Sequence, residues 1–272
     1  MAIAIFITVC GILPLHYSIH HRIFFLLVFL PLVGCVANSN LPNTPDRETQ
    51  RNHLVELHTQ LAVADMEKGN YKLAQERLDR ALRIKPGYPD THNALGFLYR
   101  KLNQPKKAEW YYRRAISLDP YYSVAYNNLG VLLCITGRQA DADGYFLKAI
   151  ANPGYREPEV AMSNAGDCAY SIGDLQKAET YLRRALSFNM KLPAPLLTMA
   201  QLYFSKGRGL LAREYLKHYL NVGTHSSRSL WLGIQIERLL DNQDVVSSYI
   251  LLLRTHYPNS QETRLLRESG IH

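Results

Sequence analysis

From about residue 55 onward, the apolar residues of this chain return at one interval. The stretches GNYKLAQERLDRALRIKP (69–86), NQPKKAEWYYRRAISLDP (103–120), GRQADADGYFLKAIANP (137–153) and GDLQKAETYLRRALSFN (173–189) share a frame. Each holds an Ala, a bulky residue four positions later and a second Ala three after that: Ala74, Leu78, Ala81; Ala108, Tyr112, Ala115; Ala142, Phe146, Ala149; Ala178, Leu182, Ala185. The first Ala recurs at 74, 108, 142, 178 and 212, a period of 34 with one step of 36, so a two-residue insertion falls near Pro153–Pro158. The preceding half of each unit keeps phase through Leu61-Ala62, Leu95-Gly96, Leu129-Gly130, Ala165-Gly166 and Met199-Ala200. Spacings of three and four predict an apolar stripe along a helix. Two such stripes per period predict two antiparallel helices, A then B. Small residues let the pair approach, and the bulky ones fill what space remains. Gly69, Gly137, Gly173 and Gly207 stand where helix A must stop and reverse. Pro86, Pro120 and Pro258 stop helix B. One hairpin cannot bury its own apolar face, so the units must stack.

The first 34 residues follow another pattern. They contain no acid and a single Arg, Arg22. An apolar run, Ala2 to Leu15, is broken by His16-Tyr17-Ser18-Ile19-His20-His21-Arg22, and a second run from Ile23 to Gly34 leads into Cys35. The second run is too short to cross a hydrocarbon core of about 30 Å. It reads as the apolar region of a signal peptide whose basic region is His20-His21-Arg22. The surplus first run implies an upstream start codon or a long leader. Leu32-Val33-Gly34-Cys35 resembles the bacterial lipobox, which implies cleavage before Cys35 and acylation of its sulfur. Val36 follows, not the Asp that retains many lipoproteins at the inner membrane, so the expected address is the periplasmic face of the outer membrane. The expected organisation is a signal peptide at 1–34, an acylated cysteine with a polar tether at 35–46, and the repeat domain at 47–268.

The 34-residue unit resembles the tetratricopeptide repeat. Six units follow, near 55–88, 89–122, 123–156, 159–192, 193–226 and, more degenerate, 227–260, where Gly233, Asp241, Val246, Ile250 and Pro258 keep phase. The implied fold is an all-α superhelix, an α-solenoid. In that architecture the A helices line the concave surface. The phases that face inward give Val63, Met66, Phe97, Arg100, Val124, Asn127, Val131, Cys134, Asp167, Tyr170, Leu197, Gln201 and Phe204, flanked by Lys101 and Ile135. The set is largely apolar and suits an amphipathic helix or extended apolar segment of a partner protein; individual members can equally belong to the core between repeats.

The formal charge of +8 points to nucleic acid only in a chain that stays in the cytosol. With residues 1–34 removed, 30 Lys and Arg face 23 Asp and Glu, and export takes nucleic acid off the list of expected partners. Arg80, Arg113, Arg114, Lys148, Arg183, Arg184 and Lys217 form a basic row on the B helices. It reads as a solvated face, or as attraction to an acidic partner, anionic lipid or cell-wall polymer. The chain contains no phosphate-binding Gly-rich loop, no Cys/His metal spacing and no Gly-x-Ser-x-Gly, so neither catalytic nor metal residues, cofactor nor small-molecule substrate is expected. His58 and His92 fall where the repeat carries a large aromatic. Cys134 and Cys168 sit on consecutive A helices, within reach of a bridge in an oxidising compartment or buried as two thiols.

Narrower resemblance lies in NNLGVLLCITGR (127–138), NPGYREPEVAMSNAGDCA (152–169), SLWLGIQIERLLDNQD (229–244) and YPNSQETRLL (257–266). Over roughly 47–268, with the lipobox, the chain is similar to the PilW/PilF family of type IV pilus biogenesis and stability proteins. The contexts of both cysteines and the two-residue insertion belong to that pattern, which favours the bridge. The resemblance implies a pilotin, a lipoprotein that binds secretin subunits and brings them to the outer membrane, where they multimerise. A general tetratricopeptide lipoprotein scaffold for cell-wall hydrolases or proteases shares the lipobox and the repeats.

Overall fold

The computed structural model describes residues 46–270. Thirteen helices fill them, with no strand among the described residues. They are α1 (Arg47–Glu67), α2 (Tyr71–Ile84), α3 (Pro89–Lys101), α4 (Pro105–Leu118), α5 (Ser123–Ile135), α6 (Gln139–Ala151), α7 (Pro158–Ser171), α8 (Leu175–Phe188), α9 (Pro193–Ser205), α10 (Gly209–Val222), α11 (Ser227–Leu239), α12 (Gln243–His256) and α13 (Gln261–Glu268). Odd-numbered helices up to α11 are the A helices, and their even-numbered partners are the B helices. Each hairpin packs most closely within itself. The tetratricopeptide superhelix expected from the period is the fold observed.

The A-to-B turns all pass through the left-handed region. Gly69, Gly137, Gly173 and Gly207 have φ of 77°, 84°, 79° and 69°, a conformation that costs glycine little. In the two remaining hairpins Asn103 and Asp241 take φ of 54° and 55°, as residues with short polar side chains tolerate. Pro89, Pro105, Pro158 and Pro193 open α3, α4, α7 and α9, where the missing N–H has no helical partner to lose. The B-to-A connection at residues 152–157 is two residues longer than its counterparts at 85–88, 119–122 and 189–192, which locates the insertion read from the period.

Within each hairpin a small residue on A meets a bulky one on B. A Cβ added at Gly96 would lie 2.5 Å from the Tyr112 ring, at Gly130 2.8 Å from Phe146, at Gly166 2.6 Å from Leu182 and at Gly233 2.8 Å from Tyr249. Ala62 and Ala200 hold the same phase opposite Leu78 and Leu216, and all four are buried. The ring or branched chain on B occupies the volume that a side chain on A would need. The A helices of consecutive repeats also touch, α1 with α3, α3 with α5, α5 with α7, α7 with α9 and α9 with α11. The backbones of consecutive B helices stay farther apart, and these helices meet through long side chains: Arg113 donates to Tyr145 at 2.9 Å, Tyr181 donates to Asp143 at 3.0 Å, and Lys177 pairs with Asp143 at 2.7 Å. The stack is therefore tighter on its A side than on its B side, and it curves with the A helices inward.

The two ends depart from the expected repeats. Helix α1 has 21 residues and begins at Arg47, capped by the Asp46 carboxylate accepting from Thr49 N–H at 2.7 Å. At the other end α13 packs on α11 and α12 outside the six units, with Leu266 fully buried and Ser260 capping its first turn. It covers the face of the last hairpin that no further repeat covers. Charge pairs tie the later repeats together. The buried Glu237 of α11 is held by Arg213 of α10. Glu179 of α8 accepts from Lys206 at 2.7 Å, Tyr203 at 2.7 Å and Arg183 at 3.0 Å. Lys206 first, then Tyr203 and Arg183, hold this carboxyl down to about 2 against an ordinary value of 4.5.

Two outcomes follow from this packing. Gly130→Val, with its Cβ driven onto Phe146, costs about 1–3 kcal/mol in urea unfolding. Gly144→Ala, on the open side of α6 with nothing within 4 Å, is neutral or stabilising by up to about 1 kcal/mol. Equal effects would show that the interlock does not limit packing. Because the folded-state value of Glu179 lies below its unfolded value, its contribution is complete above pH 4.5 and is lost as pH falls toward about 2. Unfolding midpoints measured across that window fall less steeply for Glu179→Gln than for the parent; parallel curves contradict the assignment.

Candidate functional site

The inner side of α1, α3 and α5 encloses a cleft of about 510 Å³. Val63 from α1 and Phe97 and Ala94 from α3 supply its apolar floor. Glu56, Thr59 and Gln60 line it from α1, Tyr88 from just before α3 with Asp90 and Asn93 on it, and Tyr122 from just before α5 with Asn128 on it. The A helices converge here because their contacts run along this side, so each one-turn step along a helix presents another residue to the same hollow.

Hydrogen bonds between consecutive A helices hold the walls. Thr59 and Thr91 share a bond of 2.8 Å between their hydroxyls. Asn128 donates to Asn93 at 2.9 Å, and one repeat later Asn164 donates to Asn127 at 2.9 Å. Tyr122 donates to the Asp90 carboxylate at 2.6 Å; burial, then Asp90, pushes its phenol well above the ordinary range. Tyr88 shifts the same way, through burial first and then the charges of Asp90 and Glu56. The guanidinium of Arg100 lies 4.9 Å from the centre of the Phe97 ring and the Lys101 ammonium 5.4 Å, so two cations flank the apolar floor. The result is an apolar patch inside a ring of amide, phenol and carboxylate groups, a surface that can take an apolar side chain and bond the backbone on either side of it.

Of the expected groove residues, the cleft contains Val63 and Phe97. Val124 lines a neighbouring hollow of about 520 Å³ with Asp90, Tyr122, Tyr155 and Arg156. Val131 is half-buried against the core of the middle repeats, and Tyr170, Leu197 and Phe204 against that of the later ones. Gln201 pairs with Arg228 of α11 at 3.3 Å. Two expectations need correction. Met66 is only 3% exposed and belongs to the first core cluster, because α3 closes over it. Asn127 is 5% exposed, and its carbonyl is spent on Asn164. Neither offers a surface to a partner. The polar residues Gln60, Tyr88, Asp90, Asn93, Tyr122 and Asn128 were missing from the expectation. A signal did exist, since Asn93 and Asn127 stand one period apart.

Cys134 near the end of α5 and Cys168 of α7 form a disulfide, with Cα atoms 5.8 Å apart. It fastens consecutive A helices on the concave side. Cys35 lies outside the described residues. Among the described residues no group of His, Cys, Asp and Glu could hold a metal ion, and no helix is long and apolar enough to cross a membrane.

Profiles of the tetratricopeptide repeat match residues 63–103, 89–122, 111–144 and 161–189. The chain is 29% identical over 239 residues to the type IV pilus assembly protein PilF of Pseudomonas aeruginosa, covering 87% of this chain and 94% of that protein. The solved structure of Pseudomonas aeruginosa PilF superposes with a TM-score of 0.72 at 28% identity, covering 81% of this chain and 99% of the other. PilW, described as a widely conserved type IV pilus biogenesis factor, gives 0.72 at 29% identity over 78% of this chain and 97% of its own. A tetratricopeptide protein of Thermus thermophilus, at 21% identity and a TM-score of 0.56 over 72% of this chain and 99% of that one, shares the fold alone.

Proposed function

Starting from a tetratricopeptide-repeat chain that is homologous to PilF and folded like PilF and PilW, we propose that it is a non-enzymatic scaffold of type IV pilus biogenesis, whose concave cleft takes an apolar segment of a secretin subunit. In this reading Cys35 carries acyl chains that anchor the protein to the outer membrane, facing the periplasm, and the bound secretin is brought there to multimerise. The observation that carries the proposal is the open cleft, its Val63–Phe97 floor exposed between hydrogen-bonding walls. Homology to proteins named for pilus assembly and biogenesis supports it, as does the Leu32-Val33-Gly34-Cys35 motif.

The division of labour is physical. A segment destined for a membrane pore exposes apolar surface before assembly and aggregates. Laying that surface on Val63 and Phe97 withdraws it from water at about 25 cal/mol per Å². Backbone groups beside it can bond Asn93, Asn128 and Gln60. Two or three acyl chains, each buried CH₂ contributing about 0.8 kcal/mol, make the anchor effectively permanent.

Placing a charge on the cleft floor tests the binding half. Val63→Asp and Phe97→Asp lower the yield of secretin multimers about tenfold or more, as expected when an unpaired carboxylate meets an apolar segment. Val63 is the more exposed of the two, so Val63→Asp keeps the parent's thermal unfolding and separates binding from folding. Unchanged multimers on a denaturing gel would contradict the reading. The anchoring half is tested by Cys35→Ala, which abolishes palmitate labelling and leaves secretin multimers largely in the inner membrane; normal fractionation would refute it.

A further inference from the structure

Charge divides between the two sides of the stack. The B helices α2, α4, α6, α8 and α10 carry fourteen Lys and Arg against seven Asp and Glu, whereas the A helices α1, α3, α5, α7 and α9 carry four against seven. The excess positive charge of the five repeats therefore sits on the convex side. Many B-helix cations are matched. Arg77 pairs with Asp65, Arg113 with Glu109, Arg183 with Glu179 and Arg213 with Glu237. One row is not. Arg80, Arg114, Lys148 and Arg184 hold the same phase of four successive B helices, all are exposed, and none has a carboxylate within 4.0 Å among the described residues. A solvated face built only for solubility does not require acids to be kept from a single phase through four repeats.

An aromatic joins that row. Trp110 is 58% exposed and lines an open hollow with Arg113, Arg114 and Ser117, all on the outward face of α4. An exposed indole one turn from two arginines on the same convex helix face matches the chemistry of a bilayer interface, where the ring enters the headgroup layer and the cations meet phosphate. A protein partner would need complementary concave shape, and the bulged B side offers a broad convex one.

We propose that the convex face, through Arg80, Arg114, Lys148, Arg184 and Trp110, docks on an anionic phospholipid bilayer. The concave cleft then points away from the membrane. The inference stands on the charge division and does not depend on what the cleft binds.

The test places the full-length protein, carrying Trp231→Phe so that Trp110 is the sole indole, with vesicles containing brominated phosphatidylcholine. One set is otherwise neutral, and the other contains roughly one-third phosphatidylglycerol. Brominated chains quench only an indole that enters the bilayer, and any contribution of the N-terminal segment is common to both sets. Trp110 fluorescence falls in the phosphatidylglycerol vesicles, and the fall is reversed at about 0.5 M salt. Each basic side chain near such a surface shifts the equilibrium about fivefold. The combined Arg80→Glu, Arg114→Glu, Lys148→Glu variant therefore loses the quenching while keeping the parent's helical circular dichroism. A Phe97→Trp reporter in a Trp110→Phe, Trp231→Phe background, facing the cleft, stays unquenched. Equal quenching of Trp110 in both vesicle sets, quenching that survives charge reversal, or quenching at position 97 instead would overturn the proposal. So would binding of the same face to soluble polyglutamate with no response to phosphatidylglycerol, since the partner would then be an acidic protein.

Discussion

The architecture depends on one contact, repeated: a residue with little or no side chain on each A helix against a ring or branched chain on its B helix. Gly96 against Tyr112, Gly130 against Phe146, Gly166 against Leu182 and Gly233 against Tyr249 leave no room for a Cβ. This close approach makes each hairpin a wedge, and stacked wedges that touch through their A helices must curve. Curvature brings Val63 and Phe97 into one hollow with residues of a third repeat. The cleft is a consequence of how the hairpins close, not a separate feature placed upon them.

Much of this is legible in the chain because hairpin packing is local and repeats. The period of 34, the Ala and Gly phases and the turn glycines specify the hairpins, and the one 36-residue step specifies where the connection lengthens. What the period does not carry is depth. Met66 and Phe97 project to the same side of their helices, yet Met66 is sealed by the next A helix while Phe97 stays half-open. A phase names a direction; whether a neighbour closes over it is decided by the curvature of the stack. Asn103 and Asp241 replace glycine at two turns because αL conformation, not glycine itself, is required there. The ends follow a different rule again. Helix α13 and the first turns of α1 cover or extend terminal hairpins, so they have no counterpart one period away.

The two faces of the stack differ in chemistry as well as shape. The inner helices carry a small excess of acids, and the cleft is apolar at its floor, bounded by amides, phenols and two carboxylates, Glu56 and Asp90, with Arg100 and Lys101 beside Phe97. The outer side holds the excess of cations. A client segment and an anionic surface would therefore meet opposite faces, and neither would compete with the other. The Cys134–Cys168 bridge fastens α5 to α7 on the inner side, limiting how far the middle of the stack can open when something enters beside it.

Site-specific photocrosslinking in cells that assemble pili is the most direct test of the central claim, that the concave cleft is where a client chain lies. A photoreactive residue at Val63 should join the protein covalently to secretin, whereas the same residue at Thr180, exposed on the B side of α8, should not. Adducts at Thr180 without adducts at Val63, or none with secretin at Val63, would contradict it.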